Sequence, residues 1–257
     1  MDNLAALPIM LKELKLSAIG RHWETLAQKA LDEQWLPQTY LAALCEQETG
    51  ERQQKRLQRY TREAKLPPGK ALAQFDFSAL ENLNKNQVIA LADQTGWVDR
   101  AENLLLFGAS GVGKTHLASG IGYALIDRGV RVRFASATRI VQELQQAKQA
   151  LTLGDALTRL DKYAVLIIDD IGYVKKTSQE TQVLFELIAH RYETGSLMIT
   201  SNQPFSGWDQ IFDDNMMTVA AIDRLVHHAT ILEVDAQSYR KRTSIIKRQE
   251  AIANSDN

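Results

Sequence analysis

Residues 103–127 read Asn103-Leu104-Leu105-Leu106-Phe107-Gly108-Ala109-Ser110-Gly111-Val112-Gly113-Lys114-Thr115-His116 and then LASGIGYALID. An apolar run of strand length, a glycine-rich turn and a helical segment follow one another without a gap. Gly108 to Thr115 fits G-x-x-x-x-G-K-[ST] in the context which that pattern demands. Small residues let backbone N–H groups wrap a phosphate, and the following helix aims its positive N-terminus at it. Gly108, Ala109, Ser110, Gly111, Val112, Gly113, Lys114, Thr115 and His116 are therefore the candidate phosphate-binding residues. Lys114 is suited to reach β/γ-phosphates, and the Thr115 hydroxyl to ligate Mg²⁺.

Outward from this stretch, short β-rich runs recur at Arg131 to Ala135, Ala164 to Ile168, Leu197 to Thr200 and Thr230 to Val234. Helix-sized intervals separate them, which predicts a parallel sheet buried on both faces, hence an α/β domain. Val165-Leu166-Ile167-Ile168-Asp169-Asp170 ends one strand in two carboxylates. Asp169 is a candidate to hold Mg²⁺, usually through water, and Asp170 to orient an attacking water. Both could also simply terminate a strand. Asn202 closes the next strand, where consecutive carboxyl ends line one crevice, and can hydrogen-bond a γ-phosphate or the lytic water. Arg224, just before the last strand, is a candidate cation for a phosphoryl transition state, delivered from a neighbouring subunit. A surface ion pair with Asp223 is the plainer alternative.

No N-K-x-D guanine-reading sequence follows the loop, so adenine, and with it ATP, is expected. After Val234 only 23 of the 257 residues remain, too few for a helical lid domain. A site open on one side is expected to be completed by a second copy, giving a homo-oligomer with composite ATP sites.

The N-terminal part reads differently. Apolar residues from Leu7 to Ala30 recur at helical intervals with Gly20 as a possible break, and after Pro37 a second helical pattern, from Tyr40 on to Ala64, can form one long helix of about 40 Å at 1.5 Å per residue. Pro67-Pro68-Gly69 opens a linker. The expected organisation is a helical DNA- or partner-binding domain over 1–66, a linker leading into the core over 67–100, the core over 101–236 and a basic tail over 237–257.

Arg52, Lys55, Arg56, Arg59, Arg62 and Lys65 fall at steps of three and four on the second helix. Such a stripe can supply salt-sensitive, sequence-blind affinity for duplex DNA. On charge alone a solvated helix face fits equally well. Arg240, Lys241, Arg242, Lys247 and Arg248, with Tyr239, form a second basic cluster. His227-His228 have neither ligand partners nor metal-ligand spacing nearby in sequence and read as structural.

Thirty basic and 31 acidic residues leave a net charge of −1, so nothing global draws the chain to polyanions, and 45% hydrophobic residues exclude disorder as the dominant state. No apolar run reaches about 18 residues, and Lys12, Glu13 and Lys15 interrupt the start, so neither a membrane partner nor a signal peptide is expected. The single Cys45 reads as a small packed side chain in a reducing, cytoplasmic setting.

GASGVGKTHLA, VLIIDDIGYV, LFELIAHRYETGSLMITSNQPFSGWDQIF, AAIDRLVHHATILE and SYRKR together resemble the IstB-like ATPases, ATP-binding helpers of insertion-sequence transposition related to bacterial helicase loaders and replication initiators of the AAA+ class. LKLSAIGRHWETLAQKAL, QWLPQTYLAALCEQE and FDFSALENL resemble the family's helical N-terminus and linker. The resemblance implies a P-loop AAA+ core of three layers, αβα, around a five-stranded parallel sheet, behind a small all-helical N-terminal domain and without a C-terminal lid. It implies Asp170 as the catalytic carboxylate, Asn202 as sensor 1 and Arg224 as the arginine finger, with no sensor 2 arginine to carry over. It further implies an ATPase that assembles on DNA with ATP and recruits or stimulates a transposase. A helicase loader and a non-hydrolytic, ATP-gated DNA scaffold are the alternatives.

Overall fold

A computed structural model describes residues 3–80, 82–172, 177–210 and 215–235. The expected basic tail over 237–257, with Tyr239, Arg240, Lys241, Arg242, Lys247 and Arg248, lies outside the described residues. The chain divides into two compact units, Met1–Arg59 and Tyr60–Asn257.

In the first unit, helices α1 (Leu7–Glu13) and α2 (Ser17–Asp32) precede α3 (Pro37–Ala64), which belongs to this unit as far as Arg59. The chain breaks at Leu14–Leu16, not at Gly20. Lys15 takes φ 58°, its N–H donates to the Lys12 carbonyl at 3.0 Å, and that of Leu16 donates to Leu11 at 2.8 Å. This pair of bonds is the Schellman closure, here made by a residue other than glycine. Gly20 lies inside α2, where a side chain would make only ordinary contact with Leu11. Gly50 likewise leaves α3 continuous.

Leu11, Ile19 and Leu44 form a small core, packed about by Leu7, Leu16, Trp23, Leu26 and Tyr40. Glu48, buried on α3, accepts the N–H groups of Ala18 at 2.8 Å and Ile19 at 3.1 Å. A carboxylate from another helix thus caps α2, satisfying orphan donors and complementing the positive end of its dipole. Arg52 Nε donates to Glu48 at 2.7 Å and its Nη2 to the Lys15 carbonyl at 2.7 Å, so this arginine closes the α1–α2 turn. Cys45 is exposed, correcting the packed position expected for it.

The second unit holds a five-stranded parallel sheet in the order β2-β3-β4-β1-β5. The strands are β1 (Asn103–Phe107), β2 (Val132–Ser136), β3 (Val165–Asp169), β4 (Ser196–Ser201) and β5 (Ala229–Glu233). Each begins within one residue of its sequence-predicted start. Helices α4 (Lys85–Asp93), α5 (Gly96–Asp99) and α6 (Lys114–Asp127) lie on one face. Those on the other are α7 (Ala137–Gln149), α8 (Leu153–Leu160), α9 (Ser178–Arg191) and α10 (Asn215–Val226). Successive side chains on a strand point to opposite faces. Leu104, Leu106, Val165 and Ile167 accordingly join the α4–α6 core, and Leu105, Phe107, Leu166 and Ile168 the α7–α10 core. Two separate apolar layers on one sheet are the α/β three-layer sandwich expected.

Residues 67–100 are more than a connector. Besides α4 and α5 they contain two 3₁₀ turns, Leu72–Gln74 and Phe77–Ala79, and Leu72, Phe75 and Phe77 pack on the α6 core. Tyr123 donates to the Pro67 carbonyl at 3.2 Å. Among the described residues no helix is long and apolar enough to cross a membrane.

Candidate active site

The phosphate loop leaves the carboxyl end of β1, beside β4 and β5. Two glycines shape it. Gly108 has φ 151°, and any Cβ there would collide with the Val234 carbonyl just beyond β5. Gly113 has φ 106°, and a Cβ would come within 2.8 Å of Phe75. An L side chain at either position would meet both backbone strain and a neighbour, which is why the pattern requires glycine there.

Lys114 is only 7% exposed, and its ammonium donates to the carbonyls of Gly108 and Ala109, each at 2.8 Å. The charge is thereby held within the loop, where its donors can turn to an entering phosphate. Thr115 follows it in the first turn of α6, and its hydroxyl donates to the Asp169 carboxylate at 3.0 and 3.1 Å. His116, predicted as a binding residue, turns its ring away: Nε2 lies 3.1 Å from the Ala71 carbonyl, and the ring stands edge-on to Phe75 at 5.1 Å. Burial lowers its pKa, with Lys70 adding to the effect against the Ala71 bond. Only the backbone of His116 remains for a phosphate.

Asp169 ends β3 two strands away from the loop's own strand, and β4 fills the gap. Thr200 on β4 bridges it. Its hydroxyl donates to Asp169 Oδ1 at 2.7 Å and accepts the Asp170 N–H at 2.8 Å. Sequence reading passed over Thr200 in favour of Asn202; the legible signal was a hydroxyl at the end of the strand between the loop and the acidic strand. Burial pushes the Asp169 pKa up, aided by the Asp170 charge and opposed by the two hydroxyl bonds and Lys114. Asp170 takes φ 65°, a left-handed conformation that aspartate tolerates better than most residues, and exposes its carboxylate. Asn202 Oδ1 is buried and lacks a hydrogen-bond partner among the described residues.

These groups suit a metal-bound phosphate. Thr115 and Asp169 present hard oxygen ligands within hydrogen-bonding distance of each other, the chemistry magnesium selects. Arg224 is not among the groups contacting the loop's partners described above. Its Nη1 donates to the Ala220 carbonyl at 2.9 Å and its guanidinium lies over the Phe185 ring at 5.1 Å.

Of the basic stripe, Arg52 is committed to Glu48 and Lys15, and Lys55 pairs with Glu51 at 3.4 Å. Arg56, Arg59, Arg62 and Lys65 are exposed.

The family profile described as IstB-like ATP binding protein matches residues 9–247. An insertion-sequence ATP-binding protein of Sinorhizobium fredii is 48% identical over 241 residues, covering 94% of this chain and 81% of that protein. The insertion sequence IS21 ATP-binding protein of Pseudomonas aeruginosa is 36% identical over 234 residues, covering 91% of this chain and 88% of that one. Among solved structures, DnaI superposes with a TM-score of 0.55 at 21% identity, over 66% of this chain and 95% of its own, a likeness of fold. The chain belongs to the IstB-like ATP-binding proteins.

Proposed function

We propose that this ATPase assembles on duplex DNA in its ATP-bound state, with weak sequence preference, and recruits or stimulates a transposase, hydrolysis resetting the assembly. The observation that carries the nucleotide part is the meeting of Thr115 with Asp169 at 3.0 Å, which joins the loop's hydroxyl to the acidic strand. The insertion-sequence setting of its relatives supports a transposase as client.

In this reading Lys114 leaves the Gly108 and Ala109 carbonyls for the β/γ-phosphates. Thr115 and Asp169 hold Mg²⁺, which when bound neutralises charge on the phosphate oxygens. Asp170 orients the attacking water, and the unpartnered Asn202 Oδ1 accepts a hydrogen bond from it, while the amide nitrogen is left for the γ-phosphate. Arg224, engaged with its own helix and Phe185, serves the site of a neighbouring copy. ATP then favours assembly because it makes contacts across the interface that ADP does not. Arg56, Arg59, Arg62 and Lys65 track the DNA backbone and release its counterions.

Phosphate release by the parent and by Lys114→Ala, with and without duplex DNA, tests the reading. The parent is expected to turn over ATP faster on DNA, and the variant not at all. Particle size and DNA affinity that ignore nucleotide would refute ATP-gated assembly.

A further inference from the structure

At the amino ends of the strands, the end of the sheet away from the phosphate loop, two turns converge. One joins α9 to β4 and carries Tyr192 and Glu193; the other joins α10 to β5 and carries His227 and His228. Read along the chain, the two histidines have no further ligand. The fold supplies one: a ligand atom from each of Glu193, His227 and His228 lies within 4.8 Å of the other two, and all three side chains are exposed. We propose that Glu193, His227 and His228 form a binding site for a zinc-class divalent cation.

Two imidazoles and one carboxylate are a donor set that zinc favours, and donor atoms that all lie within 4.8 Å of one another can converge on one ion through bonds of about 2.0–2.2 Å. The fourth position stays open to water. Tyr192 Oη lies 2.8 Å from His227 Nδ1. Such an outer partner fixes the ring, and with the metal on Nε2 the Nδ1–H donates to the tyrosine oxygen.

Both turns are held by backbone bonds, so the ligands are presented on fixed supports. Thr194 and Gly195 N–H groups donate to the Arg191 carbonyl at 3.1 Å each, with Glu193 at φ 57° between helix and strand. His227 N–H donates to Asp223 at 3.0 Å, and the His228 carbonyl accepts from Asn103 N–H at 2.7 Å. A cation here ties the α9–β4 turn to the residues just past the end of α10, the first of them, His227, three residues beyond Arg224. The site is independent of the nucleotide reading.

The test is calorimetric titration of untagged, full-length, chelator-stripped protein with zinc chloride in the absence of nucleotide, with cobalt absorbance as a second view of the ligand set. One ion per chain is expected, accompanied by a rise in melting temperature that grows with zinc concentration. His227→Ala/His228→Ala should lose both effects, Glu193→Gln should weaken binding, and Tyr192→Phe should weaken it about tenfold through the outer bond. Glu193→Gln, nearly isosteric, keeps the test decisive if the double variant fails to fold. Absence of zinc binding by the parent overturns the site. So does undiminished binding by the double variant or by Glu193→Gln, which would move the ion to other residues.

Discussion

Thr200 donates its hydroxyl to Asp169 Oδ1 at 2.7 Å, from the strand that separates Asp169 from the phosphate loop. The bond fixes one carboxylate oxygen, and Thr115 lies 3.0 Å from that oxygen and 3.1 Å from the other. Thr200→Val is therefore expected to keep the fold and lower apparent Mg²⁺ affinity by about 10-fold or more, while Thr200→Ser retains it. Phosphate release measured across a magnesium titration checks this. A magnesium dependence unchanged in Thr200→Val would make the threonine a mere strand residue.

Glu48 sets the acid sensitivity of the helical unit. Burial pushes its pKa up, but hydrogen bonds from Arg52 and the Ile19 and Ala18 amides outweigh that and leave it lowered. A lowered folded-state value means that the stabilisation is present above the unfolded carboxylate's pKa, about 4.3, and is lost as pH falls through the folded value. Glu48→Gln should flatten the stability profile below about pH 4.3 and cost about 1–3 kcal/mol at neutral pH. Thermal unfolding followed by circular dichroism from pH 7 to 3 reads both. A parallel profile for parent and variant would remove Glu48 from the account.

The segment before α4 presses on Gly120 of α6. A Cβ there would meet Leu72 side-chain atoms at 2.8 Å and the Leu72 N at 3.0 Å. Gly120→Ala gains about 1 kcal/mol in helix propensity yet should be destabilising, because overpacking costs about 1–3 kcal/mol. Leu72→Ala in the same chain should recover part of the loss. Urea unfolding of the two single variants and the double variant closes the cycle, and strict additivity would show that the two residues do not press on each other.

The basic stripe separates by role. Charge reversal at Arg56 and Arg59 should weaken DNA binding and flatten its salt dependence by about 0.9 for each phosphate that is no longer neutralised. Arg52→Ala, which frees Glu48 and the Lys15 carbonyl, should instead lower the melting temperature and leave the salt slope unchanged. Filter binding across a salt series gives the slopes. Equal slopes for parent and double reversal would take the helix off the DNA.

The sheet was legible because its strands are short apolar or β-rich runs set at helix-sized intervals, and because the glycine pattern fixes the turn after the first of them. Helix ends were less so. Lys15, Gln34, Lys65, Ala101, Leu151 and Glu193 all take left-handed conformations where a reader looks for glycine. The true glycines at 20 and 50 lie inside helices, which is why the first break was misplaced. Thr200 and Glu193 escaped for another reason: their partners are 31 and 34 or more residues away, joined only by strand order and by turn convergence. His116 was assigned from its neighbours in the motif, whereas its ring answers to Phe75 and Ala71.

Asn103 stands at the foot of β1 and is 8% exposed. Its Nδ2 donates to the Leu225 carbonyl at 3.1 Å, and its Oδ1 accepts the Leu197 N–H at 2.9 Å. At the head of the same strand, Val234 N–H donates to the Phe107 carbonyl at 2.7 Å, beside the glycine that has no room for a Cβ. The strand is thus bolted at both extremities, and cannot slip along its neighbours without breaking a buried amide clasp. The phosphate loop above and the arginine-bearing helix below are thus moored to opposite ends of a single strut.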